Sequence, residues 1–259
     1  MAEVLLLSLL QGVAEFLPVS SSGHLVIGQW LLGIREQGVR LDVMLHLGTL
    51  VSIMLFYRKM VIRLFVGLFV RSGAVSRREA WEYLGKIIVS ALPAVAVYLI
   101  FHDFIYSMFE NAKMVGALLM FTGAVLIGTR YMPRGGKTVS WWRALLMGLG
   151  QALALLPGVS RSGMTLACAR AGRVDAEKSA EFSFLMSAPL IAGAVLLEAV
   201  KGGSGGGEIS WGLCFLGAAI SAIIGYISLK LLVKALKGRW FWLFGPYCLA
   251  AGLLTLILV

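Results

Sequence analysis

Long apolar stretches separated by short polar connections dominate this chain. A membrane-spanning helix needs roughly 20 mainly apolar residues. Six stretches approach that length, at about 42–57, 87–102, 114–129, 181–199, 210–229 and 240–259. We predict a transmembrane helix at each of them. The shorter apolar stretch 61–70 predicts a helix that lies at the membrane interface.

Two further apolar regions, 4–33 and 141–169, are each interrupted by a polar segment that contains glycine and proline. Backbone that leaves a helix inside a bilayer must be buried in protein or face a water-filled cavity. Both regions therefore predict re-entrant helical hairpins. We name their polar segments the first hinge (Gln11–His24) and the second hinge (Pro157–Thr165).

The two hinges resemble each other at an offset of 140 residues. Val19-Ser-Ser-Ser-Gly-His24 aligns with Val159-Ser-Arg-Ser-Gly-Met164, and Gln11 aligns with Gln151. Three predicted spans follow each hinge. The chain therefore predicts a single membrane domain over 1–259, with repeat 1 at about 1–130 and repeat 2 at about 140–259.

The basic residues orient the spans, because Lys and Arg are enriched in cytoplasmic connections. Of the 23 Lys and Arg residues, 18 fall in four connections, at 58–86, 130–143, 170–178 and 230–239. With these four connections in the cytoplasm, the first hairpin enters from outside, the second enters from the cytoplasm and the C-terminus lies outside. The repeats then have opposite orientations. In such inverted repeats the two broken segments meet near the midplane.

The composition excludes an ordinary soluble domain. Hydrophobic residues make up 59% of the 259 residues and charged residues 14%, against about 25% charged in soluble domains. The net charge of +10 lies in connections, so it indicates orientation and not nucleic-acid binding. The cysteines, Cys168, Cys214 and Cys248, show no metal-ligand or disulfide spacing. The first apolar stretch lacks a preceding basic residue and a cleavage site, so we expect it in the mature protein.

The first hinge carries candidates for acid–base and nucleophilic chemistry. Gln11 and Glu15 are four residues apart and share a helix face. A carboxylate in an apolar segment is costly and marks a functional site by default. Three consecutive hydroxyls follow the Pro18 break, at Ser20, Ser21 and Ser22, and His24 comes next as a candidate acid or base.

The second hinge has the composition of an anion site. Arg161 offers a planar fork of donors that suits phosphate oxygens. The glycines of this hinge let backbone N–H groups approach a ligand. The hydroxyls are those of Ser160, Ser162 and Thr165. One hinge thus supplies a nucleophile and a base and the other binds phosphate, which indicates phosphoryl transfer. The apolar surroundings favour an amphiphile with a phosphate head.

Other polar residues in apolar segments are weaker candidates. Asp42 and His46 could face the cavity, although an interfacial position is the favoured interpretation. His102, Asp103 and Glu198 are expected at outer helix ends, and Gly202–Gly207 is expected to be an outer loop. Four residues of one span are expected to line the cavity behind the hinges, namely Glu181, Ser183, Ser187 and Pro189.

These motifs make the chain similar to the undecaprenyl-diphosphate phosphatases of the bacitracin-resistance family, over essentially its whole length. The resemblance rests on Gln11-Gly-Val-Ala-Glu-Phe-Leu-Pro-Val-Ser-Ser-Ser-Gly-His24, Pro157-Gly-Val-Ser-Arg-Ser-Gly-Met-Thr165 and Glu181-Phe-Ser-Phe-Leu-Met-Ser-Ala-Pro189. One departure is Gln11, where the family often has an acidic residue. This glutamine weakens any mechanism that needs two carboxylates.

The resemblance implies a multi-pass enzyme of the bacterial cytoplasmic (inner) membrane, with its active site open to the outer face. It would remove one phosphate from undecaprenyl diphosphate, return the lipid carrier to peptidoglycan and envelope synthesis, and confer bacitracin resistance. It also implies a divalent cation, magnesium or calcium, and a homodimer. The family's functional positions correspond to Glu15, Ser20, Ser21, His24, Ser160, Arg161, Ser162 and Thr165.

The working hypothesis assigns catalysis to Glu15, Ser21, His24 and Arg161. Substrate binding is assigned to Gln11, Ser20, Ser22, Ser160, Ser162 and Thr165. Ser21 is the expected nucleophile, Glu15 its base or a metal ligand, and His24 the group that protonates the leaving group or orients the serine. Attack by His24 or by water remains an alternative.

Two other functions fit parts of the pattern. A polyprenyl-phosphate transporter or flippase would share the inverted repeat and the phosphate clamp. It would not need a nucleophile and a base. A purely structural membrane subunit would leave buried Glu15 and Arg161 unexplained.

Overall fold

The structure is a computed structural model that describes residues 1–32, 39–69, 76–133, 135–200 and 210–259. Over these ranges the chain is all-α, with two 3₁₀ turns (Thr129–Tyr131 and Phe241–Leu243) and one isolated parallel bridge, between Lys137 and Val174. The helices are α1 (Ala2–Ala14), α2 (Ser21–Leu32), α3 (Val39–Phe56), α4 (Arg58–Phe69), α5 (Arg77–Phe109), α6 (Ala112–Gly128), α7 (Trp141–Leu153), α8 (Arg161–Ala171), α9 (Ala176–Val200), α10 (Trp211–Lys237) and α11 (Phe244–Leu258).

Several helices are long and apolar enough to cross a membrane, so the chain is a membrane protein. Among the described residues there are five such segments, namely Arg77–Phe109, Ala112–Tyr131, Ala176–Leu196, Trp211–Lys237 and Phe241–Leu258. Five of the six predicted spans fall on them. The sixth, 42–57, falls on α3, whose apolar part (Leu41–Phe56) is shorter. Residues 61–69 of the stretch 61–70 form most of α4, and their interfacial position stays a prediction.

The span prediction was wrong about where α5 begins. Residues 77–86, predicted as part of a connection, are helical, because a capping box starts the helix ten residues early. The Ser76 hydroxyl accepts from the backbone N–H of Glu79, and the Glu79 carboxylate accepts from the backbone N–H of Ser76. The helical dihedrals are interrupted at Phe101 (φ −121°, ψ 17°), near the predicted end of the span.

Both predicted breaks are present. The first separates α1 from α2 over residues 15–20, and the second separates α7 from α8 over residues 154–160. Pro18 and Pro157 lie within them, where a ring without an N–H ends helical hydrogen bonding. Each break thus places polar side chains between two short apolar helices.

The described parts of the four connections rich in Lys and Arg contact one another on one side of the helix bundle, which we name the basic face. Three contacts tie them together: the Lys86 ammonium lies 5.8 Å from the centre of the Trp141 ring, Arg143 Nε donates to the Gly172 carbonyl over 2.9 Å, and Lys237 forms an ion pair with Glu177. The charge pattern therefore grouped these connections correctly.

Glycines set the closest helix contacts. Where α6 packs against α11, Gly123 faces Gly245 and Gly116 faces Gly252. A Cβ built on Gly245 would lie 2.6 Å from the Ile127 side chain and 2.7 Å from the Gly123 carbonyl oxygen. Small residues that let backbones approach are typical of helix pairs in membranes.

We expect Gly245→Ala to lower the melting temperature by roughly 3–10 °C, because the added methyl group must push α6 and α11 apart. The matched control is Gly128→Ala in α6, where a Cβ meets nothing within 4 Å. Thermal unfolding of both variants in detergent measures the difference. Equal melting temperatures would contradict the close packing of this pair.

Candidate active site

A cavity of about 500 Å³ lies between the two hinges, α3 and α9. This volume is within the usual range of small-ligand sites, about 300–1,000 Å³. One wall is polar and consists of Glu15, Ser20, Ser21, Ser22, Asp42, His46, Gln151, Ser160, Arg161 and Ser187. The other wall is apolar and includes Leu155, Leu190, Ile191, Ala194 and Val195. The cavity can therefore hold a polar head beside a hydrocarbon chain.

Glu15 is the centre of the polar wall and is only 9% exposed. One carboxylate oxygen accepts from Arg161 Nη2 over 2.5 Å. The other accepts from Gln11 Nε2 over 3.1 Å and from the Ser21 hydroxyl over 2.9 Å. The His46 ring lies 4.0 Å from the same oxygen. The carboxylate thus joins residues from both hinges and from α3.

Arg161 links the hinges to α9. Besides Glu15, its guanidinium donates to the Ser187 hydroxyl over 2.5 Å and lies 5.5 Å from the centre of the Phe184 ring. A guanidinium has five N–H donors, and Glu15 and Ser187 take two of them. Arg161 also lines the cavity. It can therefore bind a phosphate oxygen while it stays anchored.

The first hinge is held by local hydrogen bonds. Ser20 has a left-handed backbone conformation (φ 69°), which costs a serine about 1–3 kcal/mol. Its hydroxyl accepts from the N–H of Gly23 over 3.2 Å and so caps α2. The His24 ring contacts the Ser20 carbonyl over 2.8 Å. These contacts turn the first residues of α2 toward the cavity.

The second hinge repeats the cap and adds a clamp from α6. The Ser160 hydroxyl accepts from the N–H of Gly163 over 3.1 Å, as that of Ser20 does for Gly23. Thr122 donates to the Gly158 carbonyl over 2.9 Å and accepts from the N–H of Ser160 over 3.1 Å. The backbone at position 158 has a φ of +94°, a conformation that favours glycine over residues with a side chain.

The N-termini of α2 and α8 both border the cavity, through Ser21 and Arg161. A helix N-terminus carries a partial positive charge and favours bound anions. The cavity therefore presents two helix ends and one guanidinium to a negative ligand. The chemistry available at this wall is anion binding beside a hydroxyl that donates to a carboxylate.

The structure brings most of the predicted site residues to the cavity and places four behind it. Gln11 is buried and supports Glu15. Ser162 donates to the Leu17 carbonyl over 3.3 Å, and Thr165 lies 2.6 Å from the Ser183 hydroxyl. The fourth is His24. The functional roles of all predicted residues stay predictions.

His24 is not among the residues that line the cavity, and it contacts α11 instead. Its Nε2 lies 2.7 Å from the Tyr247 hydroxyl, and the two rings stack with their centres 5.6 Å apart. Tyr247 belongs to α11, 223 residues further along the chain. The geometry places His24 where it supports the hinge through Ser20.

The structure places some of the weaker candidates from the sequence at the cavity and others away from it. Asp42 and His46 line the cavity, as does Ser187, while Ser183 lies behind it on Thr165. Glu181 and Pro189 are not part of the lining. His102 and Asp103 contact each other near the end of α5 over 3.1 Å.

Sequence reasoning had no expectation of a role for Thr122, Tyr247 or Gln151. A threonine inside an apolar span was the available signal for Thr122. Gln151 aligns with Gln11, and its buried carboxamide has no hydrogen-bond partner among the described residues. The side chain of Glu198 and the stretch Gly202–Gly207 lie outside the residues whose side chains the structure describes.

The polar wall of the cavity would hold a divalent cation only if a bound phosphate-bearing molecule supplied some of the coordinating oxygens. Over the described residues no group of three or more His, Cys, Asp or Glu side chains could hold a metal by itself. Magnesium commonly binds one or two carboxylates together with substrate phosphates. Glu15 and Asp42 are carboxylates that line the cavity; Glu15, which lies beside Arg161 and already accepts three hydrogen bonds, would be the one to share such an ion with a phosphate-bearing ligand.

Fold and cavity together define an integral membrane protein with a cavity, partly lined by polar and charged side chains, between two helix breaks. The chain belongs to the bacitracin resistance protein BacA family, whose match covers residues 4–254. It is 36% identical to the undecaprenyl-diphosphatase of Desulfatibacillum aliphaticivorans, over 98% of this chain and 97% of that protein. It is also 38% identical to the undecaprenyl-diphosphatase of Pelotomaculum thermopropionicum (99% and 96%), and 34% identical to undecaprenyl-diphosphatase 3 of Bacillus cereus (99% and 96%).

We expect Thr122→Val to lower the melting temperature by roughly 5–10 °C, because two buried backbone groups of the second hinge lose their partner. Thr255→Val is the matched control, since that hydroxyl donates only to the Ala251 carbonyl of its own helix. Thermal unfolding in detergent compares the two. A shift as small as that of the control would show that the hinge does not depend on Thr122.

Proposed function

We propose that this protein hydrolyses undecaprenyl diphosphate to undecaprenyl phosphate and inorganic phosphate. The observation that carries the proposal is the contact of Glu15 with both Arg161 and the Ser21 hydroxyl inside one cavity. Membership of the BacA family and the names of the relatives support it. The reaction returns the lipid carrier to peptidoglycan synthesis, and it confers resistance to bacitracin.

The two walls of the cavity fit the two ends of this substrate. The diphosphate lies against Arg161, Ser160, Ser20, Ser22 and the N-termini of α2 and α8. The first prenyl units lie against the apolar wall of α9. A cavity of about 500 Å³ holds only this end of a long polyprenyl chain, so the rest of the hydrocarbon stays in the bilayer.

Ser21 is the nucleophile in the proposed reaction. Its oxygen attacks the terminal phosphorus, its proton passes to the Glu15 carboxylate, and the bond to the bridging oxygen breaks to release polyprenyl phosphate. Phosphoryl transfer passes through a loose transition state that needs positioning and charge stabilisation more than a strong base. Arg161 supplies that charge. Water then attacks the phosphoserine, Glu15 assists, and inorganic phosphate leaves.

Three supporting roles complete the proposal. Gln11 orients the Glu15 carboxylate. His24 holds the first hinge through the Ser20 carbonyl, and Ser162 and Thr165 fix the start of α8. A magnesium or calcium ion shared between Glu15 and the diphosphate would neutralise phosphate charge.

The membrane arrangement we propose has six spans and two re-entrant hairpins in an inverted repeat. The contact of Arg143 with the Gly172 carbonyl supports re-entry, because it joins the beginning of α7 to the end of α8 on the basic face. The packing also supports the repeat. In corresponding positions, α1 contacts α10 and α7 contacts α5.

The geometry of α9 supports a cavity that opens to the outer face of the inner membrane. This helix begins at the basic face, where Glu177 meets Lys237. Its cavity-lining residues Leu190 and Val195 come 14 and 19 residues after Ala176, which is about 21–29 Å along a helix. With the basic face in the cytoplasm, the cavity lies in the outer half of the bilayer. A homodimer stays an expectation from the family resemblance.

We expect Arg161→Ala and Glu15→Gln each to reduce phosphate release from farnesyl or undecaprenyl diphosphate by at least about 10²-fold, because each removes a charge from the reacting phosphate or its nucleophile. Release with and without magnesium measures this, and melting curves show that the variants are folded. Arg77→Ala, an exposed arginine at the start of α5, is the control. A folded wild type that releases no phosphate under any cation would favour the transporter.

We expect Ser21→Ala to abolish a covalent phosphoenzyme and to reduce turnover by about 10³-fold or more, because the attacking oxygen is lost. Ser107→Ala is the control, since this hydroxyl is on the exposed part of α5 and donates to the Phe104 carbonyl of its own helix. Quenching with labelled diphosphate and mapping the phosphorylated residue checks this. Label on His24, or release by Ser21→Ala at the wild-type rate, would refute serine attack.

We expect cysteines placed at Ser140 and Arg173 to react with an impermeant maleimide from the cytoplasmic side only, because both residues lie on the basic face at the two ends of the second hairpin. A cysteine at Ser107, near the other end of α5, should react only from outside. The test uses vesicles of known orientation and a background without the native cysteines. Labelling of Ser140 and Arg173 from opposite sides would refute re-entry.

A further inference from the structure

A second cavity, of about 360 Å³, lies on the basic face, away from the hinges. We name it the arginine pocket. It is lined by Thr129, Arg130, Met132, Arg170, Arg239 and Trp242. None of these six described residues is acidic. The neighbouring cavity, which shares Arg170, contains Asp175. The arginine pocket thus gathers three guanidiniums from three different connections.

Helix C-termini account for only part of this arrangement. Arg130 follows α6, Arg170 is in the last turn of α8, and Arg239 follows α10. A cation near a helix C-terminus is favourable, which explains each arginine separately. It does not explain why all three border one cavity, where like charges repel each other. A bound anion would offset that repulsion.

Two of the three guanidiniums, those of Arg130 and Arg170, have contacts that hold them in place. The Arg130 guanidinium lies 4.5 Å from the centre of the Trp242 ring, and Arg170 donates to the Met132 carbonyl over 3.4 Å. Arg239 has a left-handed backbone conformation (φ 69°). Planar guanidiniums bind phosphate oxygens in pairs of hydrogen bonds. A phosphate group therefore matches the pocket in both charge and geometry.

The surroundings indicate a lipid as the source of that phosphate. Exposed aromatic side chains lie on the same side of the bundle, namely Tyr131, Trp141, Trp142 and Trp240. Tryptophan and tyrosine gather at the level of lipid headgroups. Basic pockets between membrane helices on the cytoplasmic side bind anionic headgroups.

We propose that the arginine pocket binds the phosphate of an anionic phospholipid in the leaflet at the basic face. The site is separate from the hinge cavity and does not take part in hydrolysis. The lipid bridges the ends of α6, α8 and α10 and thereby stabilises the pairing of the two repeats. This proposal does not depend on the proposed phosphatase activity.

The experiment measures melting temperature and lipid retention for the full chain in detergent. We expect phosphatidylglycerol, at a concentration about a hundredfold above its Kd, to raise the melting temperature of the wild type by roughly 5–10 °C. Zwitterionic phosphatidylcholine does not. Native mass spectrometry shows phosphatidylglycerol retained by the wild type. Both effects are lost in the double variant Arg130→Gln/Arg239→Gln and kept in the control Arg77→Gln, which removes an exposed charge outside the pocket.

Three outcomes would overturn the proposal. The first is no difference between phosphatidylglycerol and phosphatidylcholine. The second is an equal lipid effect in the double variant and in Arg77→Gln. The third is an equal rise with inorganic phosphate at matched ionic strength, which would identify a free anion as the ligand. Because the double variant could fail to fold, the single variants Arg130→Gln and Arg239→Gln are also measured, and each should weaken lipid binding about tenfold.

Discussion

The ion pair between Glu15 and Arg161 is the constraint on which the rest of the site depends. Each charge alone would be expensive inside an apolar bundle, and removing one partner of a buried pair costs about 3–5 kcal/mol. The pair therefore requires the two hinges to meet, although 146 residues separate them. Gln11 and Ser21 donate further hydrogen bonds to the Glu15 carboxylate, and Ser187 accepts one from Arg161. The same arrangement that neutralises two charges also brings the N-termini of α2 and α8 to one cavity, where their partial positive charges favour an anion.

Features that depend on local sequence could be predicted. The prolines and glycines of the hinges specify the two breaks, and the matching serines at Ser20 and Ser160 cap the following helices in the same way. Features that depend on distant contacts could not. His24 is turned toward Tyr247 by a partner 223 residues away, and Thr122 clamps a hinge from another helix. The beginning of α5 was missed because the Ser76 capping box outweighs the polarity of the residues that follow it.

The basic face and the interior of the bundle are held together by different kinds of contact. The basic face joins four connections through hydrogen bonds, an ion pair and aromatic contacts, so it fixes the ends of α5, α7, α8 and α10 relative to each other. The helix interior is held differently, by glycine contacts such as that between α6 and α11. The second hinge is held by hydrogen bonds from neighbouring helices, since Thr122 of α6 contacts Gly158 and Ser160 and Ser187 of α9 contacts Arg161. These contacts position the hinge although its backbone is irregular.

The ion pair has a further consequence for what the cavity retains. Because Glu15 and Ser187 take only two of the five donors of Arg161, an anion can share the guanidinium with the carboxylate, but it then lies beside a negative charge and a soluble anion gains no hydrophobic burial in return. Under the proposed function, a prenyl diphosphate offsets this repulsion by burying its tail against Leu190, Ile191 and Val195, at about 25 cal/mol for each Å² of apolar surface. Once the bond is cleaved, inorganic phosphate has no tail. The neighbouring Glu15 carboxylate then repels the free phosphate, so the ion pair that holds the two hinges together also favours release of the product.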